Sequence, residues 1–312
     1  NILNIRKPVE LFAVEKNIPV GQLLTKFVED RATLLQYRNE RPRPLLYDKI
    51  LLGWNAFMIT ACCKAFAALG NEQYSQIAIR NMSFIRKYFQ KADNEFYHVY
   101  KELAKYPAFL DDYAYLIQAL IHLQEVTGDT DYLEQAEALT KWLIEQFSEE
   151  DTGYFYFTHR NQQDVIVRKK EVYDGAVPSG NSVMAFNLYY LGVVFDHQDW
   201  RDRAVRMCAL LSQAVSKYPT SFGVWATMTQ GLSYTIPEIV IIGTSFEHVR
   251  REFLRSFTPL RIFQSSALEN LRFPLLAHKP YSPDTHLYLC KNYACHNPVN
   301  TVNDLIRLMI SV

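Results

Sequence analysis

Three stretches of this chain align with one another without a gap, and that internal repeat limits the fold more than any other feature. Started at Trp54, Asp112 and Gly180, they bring Gly70, Gly128 and Asp196 to one position, Tyr74, Tyr132 and Trp200 to the next, and Ala78, Ala136 and Ala204 to a third. Ile85, Leu143 and Leu211 follow, then Phe89, Phe147 and Val215. Apolar residues at helical spacing on both sides of a turn residue make each stretch a two-helix unit. Helix hairpins stacked in register put equivalent ends on one side. The polar residues that open the units, from Lys49 to Asn55, Leu110 to Tyr113 and Glu171 to Asn181, are therefore expected at one mouth.

Within a unit the two helices differ in pattern. Trp54 to Leu69 is apolar nearly all round, whereas Tyr132 to Trp142 carries its charges on one face. The first kind of helix is buried and the second lies outside it. Each unit thus supplies one inner and one outer helix, and such a double layer closes into a ring or coils as a solenoid. The spacing predicts helices over 54–69 and 72–90, 111–127 and 130–147, and from Ser179 through a turn at Asp196 to about Tyr218. Residues 1–19 read as an extended arm, followed by a helix that the Arg41-Pro-Arg-Pro run stops. Two aromatic segments, 94–100 and 152–158, read as short strands or extended rim loops. Beyond Pro219 the pattern changes to a helix at 222–235, a buried strand at 238–243, a helix near 247–256, strands at 260–263 and 286–290, and a closing helix at 302–309. The expected domains are a helix-hairpin region, 1–236, and a small α/β annex, 237–312, packed on it.

An apolar content of 49% with zero net charge suits a chain that buries a sizeable core. The balanced charge argues against nucleic acid and acidic membranes as partners. No apolar run reads as a bilayer span, and the expected location is the cytoplasm. Five cysteines without a Cys-x-x-Cys pair read as reduced thiols. Cys290 and Cys295 have disulfide or metal spacing, but no second Cys/His pair at zinc-like spacing accompanies them, so neither a metal nor a cofactor is expected.

The three polar clusters carry the chemistry. Trp54 and Asn55 open the first unit, and the indole N–H of a tryptophan so placed needs a partner. Asp111, Asp112 and Tyr113 open the second. One aspartate suffices to cap a helix, so the other is left to face the mouth, and two such close like charges raise one pKa, as a general acid requires. The third, with Glu171, Tyr173, Asp174, Ser179 and Asn181 around Gly175, Pro178 and Gly180, is a dense polar loop entering a buried helix. Asp112, Asp174 and Glu171 are the expected catalytic carboxylates. Trp54, Asn55, Asp111, Tyr113, Tyr173, Ser179 and Asn181 are the expected substrate-binding residues. His122, mid-helix, reads as a satisfied interior residue.

The runs Asp48-Lys-Ile-Leu-Leu-Gly-Trp-Asn55, Leu110-Asp-Asp-Tyr-Ala114, Tyr173-Asp-Gly-Ala-Val-Pro-Ser-Gly-Asn-Ser182 and Tyr288-Leu-Cys-Lys-Asn-Tyr-Ala-Cys295 resemble the YyaL-like family, which includes the spermatogenesis-associated, thioredoxin-domain-containing proteins. The resemblance covers that family's carboxy-terminal portion. It implies an α/α toroid, similar to N-acylglucosamine 2-epimerases and six-hairpin glycosidases, with a thioredoxin-like domain as a partner absent from this chain. By fold analogy it implies a small-molecule sugar ligand. Epimerases of the fold use paired histidines on inner helices, and no such pair stands here. The carboxylates suit a glycosidase-like acid/base pair, Asp112 with Asp174 or Glu171. The competing expectation is a non-catalytic scaffold that binds a glycan or a protein.

Overall fold

The computed structural model describes residues 4–149, 151–279 and 282–311. The chain divides into two compact units, Asn1–Asp48 and Lys49–Val312. The first holds α1 (Val9–Lys16) and α2 (Val20–Asn39). Of the extended arm expected at 1–19, residues 1–3 lie outside the described residues and Val9–Lys16 is helical instead. Pro8 precedes its first turn and Asn17 closes it in the left-handed conformation, at φ 53°. Both are helix-boundary signals of ordinary kind.

The second unit opens with β1 (Ile50–Leu51) and α3 (Leu52–Leu69), then α4 (Glu72–Tyr88). Strands β2 (Gln90–Ala92), β3 (Glu95–Lys101) and β4 (Leu103–Pro107) precede α5 (Leu110–Thr127) and α6 (Asp131–Phe147). After a long loop come α7 (Gly180–Val194), α8 (Gln198–Lys217) and α9 (Gly223–Tyr234). The three hairpins α3–α4, α5–α6 and α7–α8 coincide with the three repeats. This is a mainly helical architecture of α/α-toroid type, with α3, α5 and α7 as neighbouring inner helices and α4, α6 and α8 outside them.

The repeat positions have physical roles. Ala78, Ala136 and Ala204 are all fully buried, each a small residue of an outer helix. Gly70 and Gly128 end the inner helices at φ 68° and 77°, and Asp196 stands at the equivalent place at φ 58°. Only a left-handed residue turns the chain back there, which glycine does freely and aspartate tolerates. Helix α3 reaches the length and apolarity of a bilayer span, contrary to the expectation that no run does; 44% of it is buried, and it packs as an inner helix against α4 and α5.

The 94–100 segment forms β3, central to an antiparallel sheet with β1, β2 and β4. Residues 152–158 contribute only a bridge between Ser148 and Phe155. The carboxy-terminal segment holds β5 (Glu238–Ile242), α10 (Phe246–Leu254), β6 (Ile262–Ser266), β7 (His286–Lys291), β8 (Ala294–Cys295) and α11 (Val302–Ser311). Its sheet runs β6-β5-β7-β8, with β5 and β6 parallel and the other pairs antiparallel. This segment lies inside the second compact unit. It packs on the carboxy ends of the inner helices. The Arg255 and Arg250 side chains lie against Gly70 and Gly128, and Tyr190 of α7 donates to the Phe263 carbonyl at 2.9 Å.

Candidate active site

The amino ends of the inner helices meet, as the repeat register requires, and carboxylates join them. Asp112 Oδ1 accepts from Gly53 N–H of α3 at 2.9 Å. Asp111 Oδ1 accepts from Gly180 N–H of α7 at 2.9 Å. Asp174 Oδ2 accepts from Val224 N–H of α9 at 2.9 Å. Unpaired N–H groups and the positive end of the helix dipole both favour carboxylates at such ends.

The two adjacent aspartates do different work, and the helix boundary decides which does what. Helix α5 starts at Leu110 with Phe109 as its N-cap, so Asp112 is the third helical residue. Its Oδ2 reaches back to Phe109 N–H at 2.9 Å and also meets His98 Nδ1 at 2.7 Å. This is the reciprocal half of a capping box. Asp112 is 3% exposed, and both its oxygens are taken up by structural bonds. The Asp112 hydrogen bond raises the pKa of His98 above the ordinary histidine value, against an opposing effect of burial.

Asp111 lies one position earlier, half-buried, with Oδ1 on Gly180 N–H; among the described residues no hydrogen bond to its Oδ2 is found. Burial pushes its carboxyl up to about 6, the Asp112 and Glu171 charges add to the rise, and the Gly180 N–H opposes it. Of the two, Asp112 occupies the capping position and Asp111 does not.

Asp174 is also committed to the scaffold. Its Oδ1 accepts from Ser179 N–H at 2.9 Å and from Ser182 Oγ–H at 2.7 Å, and its own N–H donates to the Ser221 carbonyl at 3.0 Å. It ties the third polar loop to the starts of α7 and α9. Ser179 is the N-cap of α7, accepting from Ser182 N–H at 3.1 Å. Asn181 is fully buried. Its amide donates to the Phe155 and Glu171 carbonyls, and its oxygen accepts from Phe155 N–H. Tyr113, 1% exposed, accepts from Phe96 N–H at 3.0 Å and packs on Trp142 and Phe147, in the core rather than on the mouth. Asn55 donates to the Leu51 carbonyl at 2.8 Å, a bond within its own helix start.

Three of the expected residues remain open to solvent. Trp54 is 65% and Tyr173 52% exposed, and Glu171 is exposed with Oε1 accepting from Tyr173 N–H of its own loop. The sequence reading missed His98 and Tyr115. His98 sits at the middle of an aromatic strand, and Tyr115 lies one helical turn beyond Asp112. The Tyr115 hydroxyl donates to the Pro178 carbonyl, and its ring packs 3.8 Å from that of Phe57. Among the described residues no group of three or more His, Cys, Asp or Glu has the arrangement of a metal site. Clefts of about 560 and 460 Å³ lie along α2 and α8, and neither is lined by a residue of the polar clusters.

No protein-family model matches the sequence. The chain is 25% identical to spermatogenesis-associated protein 20 of Homo sapiens over 330 aligned positions, which cover 99% of this chain and 42% of that protein. An uncharacterised protein of Caenorhabditis elegans is 27% identical over 99% of this chain and 44% of its own. Among solved structures, cellobiose 2-epimerase from Bacillus thermoamylovorans matches with a TM-score of 0.44 and 16% identity, over 52% of this chain and 44% of that one. An α-mannanase from Bacteroides thetaiotaomicron matches with a TM-score of 0.43 and 14% identity, over 53% and 46%. The resemblance read from the four motifs extends along the sequence: this chain is similar to spermatogenesis-associated protein 20 over 99% of its own length, and it spans less than half the length of that protein.

Proposed function

We propose that the mouth formed by the amino ends of α3, α5 and α7 binds a polyhydroxylated, sugar-type ligand and that Asp111 is its proton donor. One observation carries the reading. Asp111 is a half-buried carboxyl beside the starts of two helices, pushed up to about 6, with a single hydrogen bond to its side chain among the described residues. A carboxyl shifted to about 6 keeps a far larger protonated fraction near neutral pH than an ordinary aspartate, and that fraction can protonate a leaving oxygen. Exposed Glu171 is the second carboxyl of the pair, placed to accept a proton from water or from a ligand hydroxyl. Trp54 and Tyr173 offer aromatic faces to the C–H side of a pyranose-like ring. Asp112, Asp174, Ser179 and Asn181 hold this arrangement through the backbone bonds described above and are positioning residues in this account.

The test is calorimetric titration with a panel of mono- and disaccharides, beside a hydrolysis assay, on the wild type and on Asp111→Asn and Glu171→Gln. The expected result is binding of at least one sugar by the wild type and by Asp111→Asn, with turnover lost in both variants. Turnover unchanged in Asp111→Asn would remove it from the donor role. A second reading, a glycan- or protein-binding scaffold serving a thioredoxin-like domain, draws support from the structural commitment of Asp112 and Asp174. It is favoured if a sugar binds and no turnover of any panel member is found.

A further inference from the structure

The expectation of reduced thiols holds for Cys62, Cys63 and Cys208, all free and buried, but Cys290 and Cys295 are joined as a disulfide. The bond spans facing residues of the β7–β8 hairpin, five positions apart. Cys290 is buried and Cys295 is exposed. Beside the exposed member stands an amine: Lys279 Nζ lies 3.6 Å from Cys295 Sγ, in a side chain that is itself only 7% exposed. A cation held against one sulfur of a pair stabilises that sulfur as a thiolate.

The hairpin does not depend on the disulfide. Its two turn residues, Asn292 and Tyr293, have φ of 49° and 64°, the type I′ signature of a two-residue hairpin. Both turn N–H groups donate to the buried Glu238 carboxylate at 2.9 Å. The Tyr293 hydroxyl donates to the Val193 carbonyl at 2.8 Å and accepts from Arg201 at 2.6 Å. His296 N–H donates to the Leu289 carbonyl at 2.9 Å. A cross-link over so short a loop removes little entropy from the unfolded chain, since the gain grows with loop length. The hairpin is held closed by these bonds whether the sulfurs are joined or free, which is what a cycling disulfide needs and a staple does not.

We infer that Cys290 and Cys295 form a thiol–disulfide exchange site, entered at the exposed Cys295 sulfur and served by the Lys279 amine. Its substrate is a thiol. A thiolate attacks Cys295 Sγ. The new sulfur–sulfur bond forms as the Cys290–Cys295 bond breaks, and Cys290 leaves as a thiolate that takes a proton from water. A second thiolate then attacks the substrate sulfur of the mixed disulfide and releases Cys295 as a thiolate beside Lys279. Two substrate thiols are oxidised to one disulfide, and two electrons reduce the protein pair. Run in reverse, the reduced pair reduces a substrate disulfide, with Cys295 as the attacking sulfur and Cys290 resolving the mixed disulfide. Burial pushes the Lys279 amine below the usual lysine range, with the Glu238 charge opposing, so a thiolate at Cys295 favours its charged form.

The experiment uses the folded, oxidised protein with reduced glutathione in one arm and dithiothreitol in the other, followed by maleimide trapping and peptide mass spectrometry. The expected result is labelling at positions 290 and 295 while Cys62, Cys63 and Cys208 stay unlabelled and the circular dichroism spectrum is unchanged. Labelling in the dithiothreitol arm alone supports the site and restricts its substrate to vicinal dithiols. Given oxidised glutathione, the Cys290→Ser variant accumulates a glutathione adduct on Cys295 as one glutathione leaves as its thiolate, and Cys295→Ser accumulates none on Cys290. Lys279→Met slows the wild-type reaction about tenfold and Lys279→Arg restores it, as expected when a neighbouring cation lowers a thiol pKa by roughly one unit or more. Labelling of 290 and 295 only together with the three buried thiols means that unfolding exposes them, and that overturns the proposal. So does a Lys279→Met rate equal to the wild type in a folded variant. Where Lys279→Met fails to fold, the selectivity of labelling in the wild type decides alone.

Discussion

The two ends of the inner helices are chemically opposite. At the amino ends, Asp111, Asp112 and Asp174 accept hydrogen bonds from helix N–H groups. At the carboxy ends, Arg250 and Arg255 lie against the closing glycines of α5 and α3. Each sign of charge meets the end of the helix dipole that stabilises it. The ends differ in what is left over. The α/β segment covers the carboxy ends, and the carboxylate buried there is paired: Glu125 meets Arg261 at 2.8 Å and His122 at 3.2 Å. Burial would raise the Glu125 carboxyl, yet Arg261 and His122 outweigh it and hold it below the ordinary value. The amino ends keep one carboxyl, Asp111, that is raised instead. The carboxylate at the covered end is held in its ionised form by its partners, and the one at the open end is shifted toward its protonated form.

The largest expected effect is at the covered end. Arg261→Met removes the guanidinium from the buried Glu125 carboxylate, leaving it His122 and the Tyr190 hydroxyl, and destabilises the protein by about 3–5 kcal/mol in urea denaturation, most of it recovered when Glu125→Gln is added. A cost near zero would show that the covered end does not depend on its pair. At the open end, Asp174→Ala orphans Ser179 N–H and Val224 N–H, leaves Ser182 Oγ–H the Ser179 carbonyl alone, and costs on the order of 3 kcal/mol. A variant that melts like the wild type would return Asp174 to the list of residues free for a ligand.

These contrasts were partly legible in the sequence. The repeat fixed the inner and outer helices and the meeting of their amino ends, because Gly70, Gly128 and Asp196 mark the same left-handed turn. It did not separate Asp111 from Asp112. Their roles turn on whether α5 begins at Leu110 or at Asp111, and a one-residue boundary is finer than periodicity resolves. Nor could it pair His98 with Asp112 or Glu125 with Arg261, since those contacts join segments that share no local pattern. The disulfide was left open for another reason: spacing alone does not tell facing residues of a hairpin from a free pair of thiols.

A smaller effect follows from His98. Its raised pKa means that the Asp112 contact contributes stability fully below the ordinary histidine pKa and loses it as pH rises through the folded value. His98→Gln should flatten the stability profile on the alkaline side of neutrality by less than about 1 kcal/mol, because the ring is partly solvated. A profile unchanged by the substitution would mean that the contact is electrostatically idle.

An effect of the opposite sign comes from Asp111. A carboxyl whose folded pKa is raised binds its proton more tightly in the native state, so it lowers stability as pH rises from about 4 to about 6 and keeps it lowered above. Asp111→Asn retains an acceptor for Gly180 N–H and removes that penalty. Melting temperature at pH 8 should rise slightly relative to the wild type, and the two proteins should melt alike at pH 4. A variant that melts lower at both pH values would place Asp111 with Asp112 and Asp174 among the scaffold carboxylates.

The difference between the two aspartates is most directly measured by carbon-detected NMR of the aspartate carboxyls across pH 3 to 8, with Asp111→Asn used to assign the resonance. The account predicts that the Asp111 carboxyl titrates near 6, clear of the ordinary aspartate value of about 4. An Asp111 resonance titrating at or below that ordinary value would contradict it, and would leave the open end with no carboxyl set apart for proton transfer.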